Sequence, residues 1–289
     1  MERTYQSITL DDLRTHRPRP INLDEFIKFR KKLTLETYPK RGKEYNAEFL
    51  SQIDSWIKSH KQCEYFGLDS FPYKDSILGV THTLDELHFL HKGNIAVYNF
   101  EYKYHWRLEQ KIKVIEHYTQ LQPGDILIVS LPNCFTTNYI QDMYSMLDHC
   151  WHNKIAVHID GAWFGCVRNF ELDCSHPAIQ TVSISLSKSL AMGNQRIGIR
   201  YSREKIKGPI SIMNEYGYHN VSDQWIGIKM MEHFSSDFLW NKYSDTYSRV
   251  CYDLGLEETD AIHIAKHNDI NVGTRLPMRL LIDKKWDNK

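Results

Sequence analysis

Neither sign of charge is in excess: Lys plus Arg number 36 and so do Asp plus Glu, leaving a formal charge of zero over 289 residues. That balance excludes the broad basic surface that holds nucleic acid or an anionic membrane. The local run Arg30-Lys31-Lys32 reads as the solvated face of a helix. Long apolar stretches are missing too, since none approaches the roughly 18 residues that cross a bilayer. Met1-Glu2-Arg3-Thr4-Tyr5-Gln6 carries no apolar core of a secretory signal. The six cysteines (Cys63, Cys134, Cys150, Cys166, Cys174 and Cys251) form no CxxC pair and no regular spacing. They read as reduced thiols of a cytoplasmic protein, which excludes a disulfide framework. His149-Cys150-Trp151-His152 comes nearest to a metal motif, but a helix C-terminus favours histidine for its dipole alone, and no metal is expected. Repeats and low-complexity segments are absent. A content of 42% hydrophobic and 12% aromatic residues is ample for a core and excludes wholesale disorder.

Residues 1–22, with Pro18 and Pro20, show little periodicity and read as an extended arm. Asn22 then caps a helical pattern with acids in its first turn, which Tyr38-Pro39-Lys40-Arg41-Gly42 breaks. Phe49, Leu50, Ile53, Trp56 and Ile57 mark a second amphipathic helix. Beyond it strands and helices alternate: 75–79, 95–98, 126–129, 155–159, 181–186 and 197–201 read as strands, 83–91 and 138–150 as helices. Near-continuous apolar strands separated by helices predict an α/β fold, a three-layer αβα arrangement around a mostly parallel sheet. After Tyr201 the pattern changes. Residues 221–237 read as one long helix, and 261–264 and 276–282 as strands of a smaller α+β C-terminal domain. The expected division is an N-terminal arm and helix over 1–44, a large domain over 45–205 and a small one over 206–289.

Two strand ends carry chemistry. Ser183-Ile184-Ser185-Leu186-Ser187-Lys188, followed by Arg196-Ile197-Gly198, sets a lysine among hydroxyls with an arginine close behind. His158-Ile159-Asp160-Gly161-Ala162-Trp163 ends an earlier strand in an acid. Ligands of parallel sheets sit at the carboxyl ends of the strands, so Lys188 and Asp160 should converge. A lysine able to form a Schiff base, an acid for a ring nitrogen, and a hydroxyl with a guanidinium for a phosphate point together to pyridoxal 5'-phosphate (PLP).

At these residues the chain resembles the fold-type I PLP-dependent enzymes and, within them, the class I/II aminotransferases, with a shortened C-terminal domain. Asp160-Gly161-Ala162-Trp163 matches the family's Asp-x-Ala-Tyr, and Ser185-x-Ser187-Lys188 with Arg196-x-Gly198 matches its lysine motif; the likeness covers roughly residues 36–201. It implies that Lys188 holds the cofactor and moves a proton at the substrate Cα, that Asp160 meets the pyridine nitrogen, and that Ser185 and Arg196 hold the phosphate. Gly79-Val80-Thr81-His82-Thr83 resembles the family's Gly-x-Thr loop, bringing Thr81 and His82 to the same phosphate. Tyr102 or Tyr104 would stack on the ring, and Asn133 resembles the residue that donates to its phenolic oxygen. Cys134-Phe135-Thr136 departs from the family after Asn133, and Trp163 stands where the family has tyrosine. An indole N–H donates but neither accepts nor ionises. Tyr38 resembles a tyrosine that reaches the neighbouring subunit, implying a homodimer. Arg275, with Arg279 second, is the candidate clamp for a substrate carboxylate.

The resemblance implies an aminotransferase acting on an amino acid and a 2-oxo acid. Decarboxylation, elimination, racemisation or oxidase-like chemistry would use the same residues. A non-catalytic relative is the reading from another class, motivated by Trp163 and the short C-terminal part.

Overall fold

A strand with no polar face has to be covered on both sides, and Ile126–Ser130 is buried at every position. The computed structural model describes residues 4–14, 18–33, 42–108, 112–135 and 142–283. Helices α1 (Leu10–Leu13), α2 (Asp24–Lys32) and α3 (Gly42–Lys58) lead into strand β1 (Cys63–Phe66). The central region follows as β2 (Tyr73–Ile77), α4 (Val80–Leu90), β3 (Ile95–Tyr98), β4 (Ile112–Ile115), β5 (Ile126–Ser130), α5 (Met143–His152), β6 (Ala156–Gly161), β7 (Phe170–Asp173), β8 (Ile179–Ser185) and β9 (Gly198–Ser202). The remainder is α6 (Pro209–Tyr216), α7 (Val221–His233), α8 (Phe238–Asp253), β10 (Glu257–Glu258), β11 (Ile264–His267), β12 (Ile270–Gly273) and α9 (Arg275–Asp283).

Seven strands form the central sheet in the order β2-β9-β8-β6-β5-β3-β4. The pairs from β8 to β4 are parallel, while β9 runs antiparallel to both its neighbours, β8 and β2. The sheet is therefore mostly parallel, as the apolar strands implied. β1 pairs with β7 in a parallel ribbon, and β10-β11-β12 form a small antiparallel sheet. All six cysteines are buried free thiols. No helix among the described residues is long and apolar enough to cross a membrane.

Several elements differ from the sequence reading. Residues 276–282 are not a strand but most of α9, whose Met278 N–H donates to the Thr274 carbonyl at 3.0 Å. Pro277 has no N–H for a ladder and is tolerated in a helix's first turn. The helix expected over 221–237 stops at His233, and the next helix, α8, begins only at Phe238. There Asp237 accepts the Lys61 amide at 3.0 Å, and Ser236 meets the Ser59 hydroxyl at 2.9 Å, so both side chains are committed to the loop after α3. The strand expected over 261–264 begins only at Ile264. The α2 cap falls on Leu23, with Asn22 in a left-handed conformation before it. Of the helix expected over 138–150, the part before Asp142 lies outside the described residues.

Arg200 on β9 is fully buried and binds Asp75 of β2 at 2.6 Å, Glu86 of α4, and the Ser211 hydroxyl of α6 at 3.0 Å. Removing one member of a buried ion pair leaves the others desolvated without a counter-charge. Arg200→Met is expected to cost about 3–5 kcal/mol, read as a lowered urea midpoint at unchanged slope. A midpoint within error of wild type would show the cluster to be dispensable.

Candidate active site

The connection from β8 to β9 is closed by the register pair Ser185–Gly198. A Cβ at 198 would lie 2.3 Å from the Ile184 carbonyl, so only glycine allows this approach. Lys188 and Arg196 ride on that connection and therefore share one edge of the sheet. Asp160 of β6 pairs with Ser183 of β8 on one side and Ser130 of β5 on the other, at the same carboxyl edge. β2 also ends there, because Ile77 pairs with Gly198. Gly79, at φ +75, turns the chain into α4, and a Cβ on it would sit 2.9 Å from the Arg196 guanidinium. Arg196 donates from Nη2 to the Thr81 hydroxyl. A guanidinium, a hydroxyl and the first amides of an eleven-residue helix thus form an anion cradle.

These residues wall a cavity of about 370 Å³, within the size range of small-molecule sites. Thr81, Tyr102, Asp160, Trp163, Ser185, Ser187, Lys188 and Arg196 all line it, as does Tyr104. His82 and Asn133 do not. His82 accepts the Leu78 amide at Nδ1 (3.2 Å), and Asn133 accepts the Phe135 amide at 2.9 Å. Tyr102 and Tyr104 stack with centroids 5.8 Å apart, and Tyr104 donates to Asp85 of α4 at 2.5 Å. Arg275 opens α9 and is not among the residues lining the cavity, and Arg279 binds Asp24 at 2.8 Å. Tyr38 lies outside the described residues.

Asp160 is 5% exposed and accepts the Ala162 amide at 2.8 Å. Burial pushes its pKa up to about 6, against the pull of that amide and of Lys188. The Lys188 Nζ lies 5.3 Å from the centre of the Trp163 ring, whose indole stacks on His263 at 3.8 Å and 19°. His263 donates from Nε2 to the Cys134 carbonyl (3.2 Å), and burial pushes it down to about 3, so it is neutral near pH 7.

Several residues at or behind the cavity were missed in the sequence. Glu101, 4% exposed, accepts from the Ser130 amide (2.7 Å), the Ser130 hydroxyl (2.6 Å) and the Tyr102 amide (3.1 Å). Burial raises its pKa to about 7, opposed by the Ser130 bonds and assisted by the charge of Asp160. Its signal was an acid just past an apolar strand, the same pattern that marked Asp160. Pro18, Ser130, Lys103 and Arg107 also line the cavity, the last two exposed at its rim. His263 carried no local signal, since its place depends on a stack between distant segments.

Among solved structures, the PLP-bound C-S lyase of Staphylococcus hominis superposes with a TM-score of 0.57 at 11% identity, covering 96% of this chain and 89% of that one. A single mutant of Thermus thermophilus aspartate aminotransferase gives 0.57 at 12%, covering 86% and 74%. The fold is that of fold-type I PLP-dependent enzymes. Substrate-bound BacF of Bacillus subtilis follows at 0.54 and 14%, covering 86% and 71%. At these identities the likeness is one of fold. No protein-family model matches the chain, and no curated protein matches its sequence.

Asp160 has a stability cost with a defined sign. Its folded pKa of about 6 exceeds the ordinary carboxylate value of roughly 3.9. Between the two the folded state binds more protons than the unfolded chain, so stability falls as pH rises through that window. In cofactor-free protein, Asp160→Asn is expected to gain about 3 kcal/mol near pH 8 and little near pH 4. Urea unfolding at both pH values checks this, and an equal shift at both would contradict it.

Proposed function

We propose that the protein is a PLP-dependent aminotransferase that takes an amino group from an amino acid and passes it to a 2-oxo acid. The observation that carries this reading is one cavity walled by Lys188, by the buried Asp160, and by the Arg196–Thr81 cradle. The residues fit the cofactor. The Ser187 hydroxyl is buried without a hydrogen-bond partner among the described residues, beside the cradle that suits a phosphate dianion. When bound, PLP supplies an electron sink that stabilises negative charge at the substrate Cα.

The chain's own residues supply the rest. Arg196, Thr81 and Ser185 would hold the phosphate, and Asp160 would hold a proton on the ring nitrogen by opposite charge in a desolvated site. Lys188 would anchor the aldehyde carbon and, once released by substrate, carry the proton to and from Cα. Trp163, stacked on His263 and with its ring centre 5.3 Å from the Lys188 amine, would shield that amine from water on one side. For the substrate carboxylate we assign Arg275. It is half-buried, and the neighbouring charges that act on it are those of Arg279 and Arg19, both cationic. A desolvated guanidinium beside other cations, with no acid among the described residues to balance it, is a place for an anion. Pro18, next in sequence to Arg19, lines the cavity.

The purified protein incubated with PLP is expected to absorb in the visible, and Lys188→Ala to lose that absorbance. A panel of amino acids should convert the spectrum to that of the pyridoxamine form. Oxo acid released without that spectrum would mean elimination or oxidation, and carbon dioxide would mean decarboxylation. Asp160→Ala should keep some cofactor while turnover falls by about a hundredfold or more. Arg275→Ala is expected to raise KM for the amino acid by about tenfold or more while PLP affinity stays level, with partial rescue by Arg275→Lys. An unchanged KM would remove Arg275 from the site.

A further inference from the structure

Two buried carboxylates, rather than one, stand at one end of the cavity. Asp160 ends β6, and Glu101 follows β3; the strand between them is β5, whose Ser130 pairs in register with Asp160. Glu101 closes on that same Ser130 through its amide (2.7 Å) and hydroxyl (2.6 Å), and takes the Tyr102 amide at 3.1 Å. Three donors fix its carboxylate in place at the cavity wall. No lysine or arginine is paired with it among the described residues.

We propose that Glu101 is a second carboxylate at the ring-nitrogen end of the site, a positioning residue that acts through Ser130 and Asp160 to keep that nitrogen protonated. The inference rests on the proposed function above. A single carboxylate fixes a proton by one charge–charge contact; a second negative group behind it adds potential of the same sign at the nitrogen, and in a desolvated wall that potential is weakly screened. The Ser130 hydroxyl donates to Glu101 and so orients the β5 end toward the acid pair. Burial raises the pKa of Glu101 to about 7, with the charge of Asp160 acting in the same direction, so Glu101 carries part of its negative charge near pH 7 and nearly all of it by pH 8. The other titratable groups whose own values respond to it are Tyr98 of β3 and Cys134 beyond β5, both pushed up and protonated near pH 7. The charge on Asp160 therefore bears on the titration of Glu101.

The test compares PLP with its 1-deaza analogue, in which carbon replaces the ring nitrogen, by quenching of tryptophan fluorescence. Glu101→Gln keeps the shape and an acceptor oxygen. It is expected to weaken PLP by about tenfold, the equivalent of one pKa unit, while the analogue's affinity stays within about twofold of wild type. Equal weakening of both, or of neither, would overturn the inference and make Glu101 a structural residue. Wild-type protein that binds neither compound would instead overturn the proposed function itself. Should Glu101→Gln fail to fold, carboxyl-¹³C glutamate labelling of the apoprotein decides. One glutamate should titrate near neutrality and shift down in Asp160→Asn. A midpoint that Asp160→Asn leaves in place would show the two acids to be uncoupled.

Discussion

One register row crosses five strands of the central sheet: Ser130, Asp160, Ser183, Arg200 and Asp75 are paired in turn from β5 to β2. Every member is polar, although β5 carries only Ile, Leu and Val before Ser130, and four of the five are buried. A buried polar row persists only where its members find partners. Ser183 donates to the Thr83 hydroxyl of α4 at 3.0 Å, and Arg200 reaches Glu86 of the same helix. At the other end Ser130 donates to Glu101. The row thus ties the sheet to α4 through hydrogen bonds that specify position, whereas the apolar rows specify only burial. α4 is the helix whose first turn meets Arg196, so a packing constraint in the middle of the sheet sets the geometry of the anion cradle at its edge.

The antiparallel return of β9 completes that constraint. A right-handed crossover after β8 would carry the chain to the opposite edge before it rejoined the sheet. The direct return keeps residues 186–197 on the carboxyl edge, so Lys188 and Arg196 face the same cavity as Asp160. The two ends of that connection are pinned at Ser185 and Gly198. β9 then carries Arg200 back under α4. A single strand therefore anchors both the loop that bears Lys188 and the helix α4 whose first turn meets Arg196.

What the sequence disclosed follows from where its signals were local. Asp160 and Lys188 stand at the ends of short apolar runs, and a charge that terminates such a run has to sit at a sheet edge, so their convergence could be inferred from α/β topology alone. Gly79-Val80-Thr81 carried the helix start in its own residues. The direction of β9 was not legible, because an apolar strand reads the same whichever way it runs. Glu101 needed the strand order: only with β5 between β3 and β6 does its position bear on Asp160. The misread 276–282 shows a local rule overlooked, since Pro277 argued against a strand. α6 was passed over although Pro209 opens it and Gly217 closes it, both ordinary helix punctuation. His263 depends on how the C-terminal segment packs, and no spacing in the chain encodes that.

Trp163 ties the remaining pieces together. At this position the resemblance leads one to expect a phenol, which can accept a hydrogen bond and ionise; an indole can do neither. What the indole offers instead is area. One face packs on the flat His263 ring, and the Lys188 ammonium lies 5.3 Å from its centre, within cation–π range. A charged histidine in that stack would repel the lysine. Burial pushes His263 down to about 3, so the stack stays uncharged through the neutral range and adds no opposing charge beside the amine. The C-terminal segment, through one neutral ring, thereby helps to fix where the lysine can point.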